Sequence, residues 1–473
     1  MEKENKEVLE EKDSWKAKRQ SKKMNRLRRE ENNPGQGVPA FFIHTFGCQM
    51  NESDSEHIAG LLTSSGWQKV DSPEESHLVI INTCAVRAKS VEKFSSLLGR
   101  LKELKRKYGT KIAVVGCVAQ LEGEELLKLH PEIDFILGPD NYADLLKMIE
   151  GKERQVATAW SAHWREHPPS LILRESQVSA YVPVMEGCNN FCTYCIVPFV
   201  RGREKYRPAR FILEEIQDLA RAGFLEVQLL GQSITSYRDP ESGQPLASLL
   251  RQVARIEGLR WIRFITSHPR DFTPDIAQVM AEERKICQQL HLPVQSGSNS
   301  ILKKMNRGYT REEYLEKISL LRELMPAISL STDIIVGFPG ETEKDFEATL
   351  RLLEEVRFTN IFSFRYSPRP LTAASRWADD VPFEVKRRRL LELQALQKKI
   401  QLEINAALVG RTMDVLCVGR SPKTPHLYCG RNEAHQVVNF SSPLDVTNKM
   451  VRVKITSSGP YSLRGEIVLE NPY

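Results

Sequence analysis

Tyr181-Val182-Pro183-Val184-Met185-Glu186-Gly187-Cys188-Asn189-Asn190-Phe191-Cys192-Thr193-Tyr194-Cys195 is an apolar strand pattern that runs directly into three cysteines. The spacing Cys-x3-Cys-x2-Cys puts three thiols on one short loop with no fourth ligand beside them. A structural zinc site takes four protein ligands. The nearest histidines, His163 and His167, lie beyond the Pro168-Pro169 break and a strand-like stretch. Thiolates favour iron–sulfur clusters, and three of them leave one iron of a cubane open for chemistry.

Downstream of this loop, strand and helix patterns alternate. Candidate strands are Tyr181–Met185, Glu226–Leu230, Trp261–Thr266, Gln289–Leu292, Ser329–Val336 and Asn360–Arg365. Helical patterns fall near 211–222, 245–256, 274–284, 311–324, 342–356 and 383–407. Six such repeats predict a partial (βα)6 barrel over 174–406, with its chemistry at the C-terminal ends of the strands. Cys188 follows the first strand, so an open cluster stands at the barrel mouth.

Upstream, three apolar runs each end in a cysteine. Ala40–Ile43 leads to Cys48, Leu78–Ile81 to Cys84, and Ile112–Val115 to Cys117. Helical patterns from about Asp54 to Ser64 and from Val91 to Tyr108 separate them. Strand, helix, strand at this repeat predicts βαβ units and a parallel sheet over 39–155. Right-handed crossovers bring such strand ends to one edge, where α/β sheets bind ligands. Three cysteines far apart in sequence can converge there, which raises a second cluster as a reading.

The remaining segments are simpler. Residues 1–38 read as a tail, and Lys16 to Arg29 holds eight Lys or Arg and no acid. That stretch is either a solvated disordered segment or a basic arm for phosphates. A polar stretch from Gly151 to Glu175 reads as a linker. Thr412–Val418, Val437–Phe440, Met450–Ile455 and Leu463–Leu469 are short and rich in β-branched residues, predicting a small β-barrel over 409–471. Such barrels serve as structural caps or as nucleic-acid platforms.

Hydrophobic content of 41% and charged content of 27% are ordinary for a globular protein of 473 residues. No run of eighteen apolar residues is present, and the N-terminus has no apolar signal core, so neither a membrane span nor secretion is expected. Nine cysteines in that setting point to metal-binding or buried thiols and not to a disulfide framework. Cys287, Cys417 and Cys429 lack partner spacing and read as small buried hydrophobes. The formal charge of +6 is a modest excess.

The cysteine loop at the first barrel strand resembles the radical S-adenosylmethionine superfamily. More closely, the chain is similar to its methylthiotransferases, of the tRNA 2-methylthio-N6-isopentenyladenosine synthase type. The matching motifs are Thr45 through Asn51, Asn82 through Arg87, Gly116 through Gln120, Gly187 through Pro198, Arg201 through Glu204, Leu229 through Gln232, Leu292 through Ser298, Asp333 through Glu341 and Tyr366 through Pro370. The likeness covers about residues 40 to 471. Two departures fall in loops: Ser233-Ile234-Thr235 stands for the more usual Asn-Val-Asn, and Leu371-Thr372-Ala373 for Gly-Thr-Pro.

The resemblance implies an α/β enzyme with a TRAM-like C-terminal domain, two [4Fe–4S] clusters and S-adenosyl-L-methionine. By position, Cys188, Cys192 and Cys195 would hold the cluster that cleaves S-adenosylmethionine to a 5′-deoxyadenosyl radical. Cys48, Cys84 and Cys117 would hold an auxiliary cluster that accepts a methyl group and delivers sulfur. Gly231 and Gln232 would contact the methionyl part of the cofactor, and Gln295 and Asp333 would shape the cofactor mouth. The implied reaction is methylthiation at C2 of N6-isopentenyladenosine at position 37 of tRNA. The alternative substrates are threonylcarbamoyl-adenosine and a ribosomal-protein aspartate. Implied partners are the tRNA anticodon arm, an electron donor such as flavodoxin or ferredoxin, and a sulfur or cluster donor. The expected location is the cytoplasm.

Overall fold

The computed structural model describes residues 38–85, 88–151, 153–166 and 171–468. The basic stretch Lys16–Arg29, the Pro168-Pro169 break, and Val86-Arg87 after the second cysteine lie outside them. The described chain forms two compact units, 38–160 with 171–173, and 161–166 with 174–468.

In the first unit, β1 (Ala40–Thr45), β2 (Gln68–Lys69), β3 (Leu78–Thr83), β4 (Lys111–Gly116), β5 (Phe135–Leu137) and β6 (Gln155–Ala157) form one parallel sheet in the order β2-β1-β3-β4-β5-β6. β3 is buried along its whole length, as a central parallel strand covered on both faces must be. One face packs Phe41, Leu78, Ile80, Ala113, Val115 and Phe135 against Ile58, Leu62 and Leu145 of the flanking helices. The predicted helices run over Gln49–Ser64 and Ala88–Tyr108. β6 corrects the expected linker: Gln155–Ala157 is paired with Phe135–Leu137 as the outer strand of the sheet. Three half-buried residues at an edge carry too little alternation to be read from sequence.

In the second unit, β7 (Ser179–Pro183) leads through the small pair β8 (Met185–Glu186) and β9 (Lys205–Tyr206) to β10 (Glu226–Leu230) and β11 (Trp261–Ile265). β12 (Gln289–His291), β13 (Ser329–Val336) and β14 (Asn360–Arg365) continue the wall. β7, β10 and β11 pair in parallel, as do β12, β13 and β14. A parallel bridge at Ile262 and Ile286 joins the two groups. The six strands agree with those predicted, to within a few residues at their ends. From Leu330 on, β13 alternates: Leu330, Thr332, Ile334 and Val336 are buried, while Ser331, Asp333 and Ile335 are half-exposed. A short helix, Asn299–Lys304, lies between β12 and the predicted helix Arg311–Leu324 and was not expected.

The C-terminal segment closes into a barrel of β15 (Thr412–Ser421), β16 (Thr424–Asn432), β17 (Val437–Ser441), β18 (Met450–Ser458) and β19 (Leu463–Ile467), in the order β15-β16-β17-β19-β18. Four strands were expected. β16 escaped notice because Pro425 and Gly430 interrupt its pattern. Its core is Val415, Cys417, Tyr428, Val438, Phe440, Val453, Ile455 and Leu463, so Cys417 is a buried hydrophobe as expected. This barrel seats on the N-terminal ends of the (βα) strands. Leu416 packs with Val178, Trp261 and Cys287, and Arg263 donates to the carbonyls of Asn432 (2.9 Å) and Glu433 (2.6 Å). The buried Arg263–Glu226 ion pair (2.7 Å) fixes that guanidinium.

Candidate metal centres and cofactor site

The first unit brings its three cysteines to one sheet edge. β1, β3 and β4 are parallel neighbours, so they end on the same side. Cys48 caps the helix Gln49–Ser64, Cys84 follows Thr83, and Cys117 opens the helix Cys117–Leu129. Two fully buried asparagines staple these ends. Asn51 Nδ2 donates to Asn82 Oδ1 (2.9 Å) and to the Thr83 carbonyl (3.2 Å). Asn82 Nδ2 donates to the Asn51 carbonyl (2.8 Å) and to Ser55 Oγ (3.0 Å). The Cys48 amide and thiol both face Asn51 Oδ1 at 3.4 Å. Thr83 Oγ1 donates to the Val115 carbonyl (2.8 Å), tying the second end to the third. Gly116 has φ of 91°, and a Cβ there would stand 2.5 Å from Asn82 Oδ1. Only glycine fits that position.

The second trio sits on one loop after β7 and β8. Cys188 and Cys192 are buried and Cys195 is half-buried. Gly187 enters the loop with φ of 79°, and a Cβ there would meet the Arg203 carbonyl at 2.1 Å. The Cys188 amide donates to the Gly202 carbonyl (3.1 Å), and the Cys195 amide to the Cys192 carbonyl (2.9 Å). Asn190 Nδ2 donates to Cys188 Sγ at 3.4 Å, and its Oδ1 accepts from Arg270. Asn306 Nδ2 holds the carbonyls of Asn190 (3.3 Å) and Phe191 (3.2 Å), allowing Phe191 its left-handed φ of 46°. From the loop after β14, the Ala374 amide donates to the Thr193 carbonyl (2.8 Å). The departure Leu371-Thr372-Ala373 therefore adjoins a segment that supports the cysteines.

The donor chemistry fits a soft, cationic group. Burial pushes the Cys188 thiol up to about 11 and the Cys195 thiol up to about 12, with the Cys192 sulfur adding repulsion to both. Such thiols ionise when a metal replaces their protons. Among the described residues, no three His, Cys, Asp or Glu side chains gather as ligands of a single ion. A cubane takes one thiolate on each of three irons, so its sulfurs need not meet at one point.

Of the residues expected at the cofactor, Gly231 and Gln232 follow β10 directly. Gln232 Oε1 accepts from the Gly187 amide (2.6 Å), so this side chain braces the cysteine loop. Gln295 and Asp333 stand across the barrel and are tied to each other, the Gln295 amide donating to the Asp333 carbonyl (2.8 Å). The Asp333 carboxylate already faces His291 Nε2 at 3.4 Å. At the end of β11, Ser267 Oγ and His268 Nε2 are buried and have no hydrogen-bond partner among the described residues. His268 Nδ1 accepts from the Arg270 amide (3.2 Å), which puts the ring proton on Nε2. Unsatisfied polar atoms at a barrel mouth suit a polar ligand.

Arg307 was not singled out by sequence. It is 3% exposed and donates from Nη1 to Cys192 Sγ (3.2 Å). Its only local signal is the turn pair Asn306 and Gly308, both at positive φ, around it. That it reaches a cysteine more than a hundred positions away is a tertiary fact.

Two family descriptions match the chain. Residues 40–138 match "Uncharacterized protein family UPF0004", and residues 182–353 match the radical SAM superfamily. A radical S-adenosylmethionine methyltransferase, TsrM from Kitasatospora setae, solved with cobalamin and a [4Fe-4S] cluster bound, shares the fold at a TM-score of 0.53 and 14% identity, over 72% of this chain and 77% of that one. The fold is thus that of a radical S-adenosylmethionine enzyme with an added N-terminal sheet domain.

Full-length relatives narrow the class. The tRNA-2-methylthio-N(6)-dimethylallyladenosine synthase of Carboxydothermus hydrogenoformans is 46% identical over 91% of this chain and 99% of its own length. That of Thermodesulfovibrio yellowstonii is 45% identical over 91% and 99%. The chain belongs to the tRNA-2-methylthio-N(6)-dimethylallyladenosine synthase family.

Proposed function

We propose that this protein is a radical S-adenosylmethionine methylthiotransferase that adds a methylthio group at C2 of N6-isopentenyladenosine (the dimethylallyl nucleoside) at position 37 of tRNA. Kinship at 46% identity over essentially the whole length of a named relative carries this reading. Both cysteine trios at strand ends support it.

In this reading Cys188, Cys192 and Cys195 hold one [4Fe–4S] cluster, and Cys48, Cys84 and Cys117 the other. When bound, the first supplies an electron to S-adenosylmethionine and the second supplies sulfur for transfer. The chain's own residues position and shield. Gly187 lets the first loop turn tightly, Gln232 and Asn306 hold its backbone, and burial of Cys188 and Cys192 keeps water from the sulfurs. Gly231, Gln232, Gln295 and Asp333 border the cofactor mouth, and Ser267 Oγ and His268 Nε2, unpaired among the described residues, offer it polar contacts. The C-terminal barrel, with Arg452, Lys454 and Arg464 exposed on β18 and β19, acts as a TRAM-like grip on anticodon-arm phosphates, which positions without reading sequence.

A low-potential donor such as flavodoxin or ferredoxin provides electrons, and a separate sulfur or cluster donor restores what is consumed. With tRNA as substrate, the work is cytoplasmic. No helix among the described residues is long and apolar enough to cross a membrane. Nucleoside analysis of tRNA from a deletion strain tests the reaction: 2-methylthio-N6-isopentenyladenosine disappears and N6-isopentenyladenosine accumulates. Persistence of the methylthio nucleoside overturns the substrate. Iron and sulfide analysis of the reconstituted protein tests the ligand sets, with about eight irons per chain expected.

A further inference from the structure

Arg307 is a buried guanidinium with an unusual set of partners. Nε donates to Tyr309 Oη (3.0 Å), Nη2 to the Pro293 carbonyl (2.6 Å), and Nη1 to Tyr194 Oη (3.4 Å) and Cys192 Sγ (3.2 Å). Among the described residues none of its hydrogen-bond partners is a carboxylate. Three other arginines buried to this degree around the barrel each face one: Arg207 faces Glu215, Arg263 faces Glu226 and Arg389 faces Glu341. A buried charge without a counter-charge costs several kcal/mol. The group that can supply the anion beside Arg307 is the sulfur of Cys192.

We propose that Arg307 is a positioning residue whose charge sets the reduction potential of the group held by Cys192. This rests on the reading that the Cys188 loop holds a reducible cluster. Hydrogen bonds to ligating sulfurs, local charge and exposure set such potentials. One electron passes from a low-potential one-electron donor to the cluster, and the added negative charge falls next to the guanidinium. Arg307 therefore favours the reduced state and raises the potential. Tyr309 and Pro293 hold the fork in place, so the charge cannot swing away to solvent. Asn190 makes a similar but uncharged contact to Cys188 Sγ, itself held by Arg270.

The test is an EPR-monitored redox titration of the full reconstituted chain with viologen mediators. The auxiliary cluster of the same molecule serves as the internal standard. In Arg307→Gln, one of the two midpoint potentials moves to more negative values by about tenfold in the reduction equilibrium, or about 59 mV for one electron. The moving signal is the one that S-adenosylmethionine perturbs, and the other stays. Arg307→Lys keeps the charge and moves it less. Both potentials unchanged in an Arg307→Gln protein of full iron content overturn the proposal. If that variant takes up no iron, Tyr309→Phe decides: it removes one oxygen anchor of the guanidinium and no ligand. A smaller shift of the same sign supports the proposal, and none overturns it. A wild-type chain in which S-adenosylmethionine perturbs neither signal overturns instead the assignment of the loop.

Discussion

The two cysteine trios are assembled by opposite routes. Cys188, Cys192 and Cys195 share one loop, and their spacing alone announces a site. Yet that loop is held by residues from the whole barrel: Gln232 after β10, Arg270 after β11, Asn306 and Arg307 after the helix Asn299–Lys304, and Ala374 after β14. Cys48, Cys84 and Cys117 are scattered, and their spacing announces nothing. Their supports are nevertheless local, since Asn51, Asn82 and Gly116 each lie within three residues of a cysteine they serve. Where the cysteines are adjacent, the fold supplies the residues that hold them; where they are dispersed, the strand ends carry those residues with them.

Breaking one trio at a time gives the largest effect. Cys192→Ala should abolish S-adenosylmethionine cleavage and methylthio transfer and lower iron by about four per chain. Cys84→Ala should lose a similar amount of iron and all methylthio product, yet still cleave S-adenosylmethionine. Equal loss of cleavage in both would show that the trios do not divide the work.

The supports come next. Gly116→Ala forces a methyl group onto Asn82 in a left-handed backbone, a cost of about 1–3 kcal/mol. Asn82→Ala removes three buried hydrogen bonds to Asn51 and Ser55, about 0.5–1.5 kcal/mol each. Each should lower the melting temperature and reduce the iron of one cluster while sparing S-adenosylmethionine cleavage. A loss of cleavage that outruns the loss of stability would contradict the local character of that second layer.

The smallest effect concerns pH at the barrel mouth. Burial, with Arg307 and Arg270 nearby, pushes the His268 imidazole down to about 2 from 6.5. The native ring stays neutral while the unfolded chain takes up a proton below about 6.5, so the unfolded state binds more protons there. Stability is complete above that pH and falls as pH drops through it, by up to about 1.4 kcal/mol per unit. Denaturant unfolding between pH 7.5 and 5.5 should show that slope, and His268→Asn should flatten it. An unchanged slope would mean that this ring is not the group responsible.

Much of this was legible in the chain. The apolar runs before Cys48, Cys84 and Cys117 gave the parallel sheet, because a strand buried on both faces leaves an uninterrupted apolar signature. The barrel strands and most of their helices followed from the change of period. β6 and β16 did not, the one too short and the other broken by Pro425 and Gly430. The seat of the C-terminal barrel on Arg263, Trp261 and Cys287 joins residues with no shared local pattern.

The sequence by itself determined the proposed donor set, three thiols after separate strands and three on one loop, and a kinship that names the reaction. That follows because ligand identity and strand ends are local properties of the chain. Only the tertiary structure decided what surrounds the sulfurs. An arginine on a distant turn, an asparagine staple between neighbouring strands and a glutamine committed to the loop's own backbone arise from packing across the fold. Such packing sets burial and charge at the sulfurs, and spacing cannot encode it.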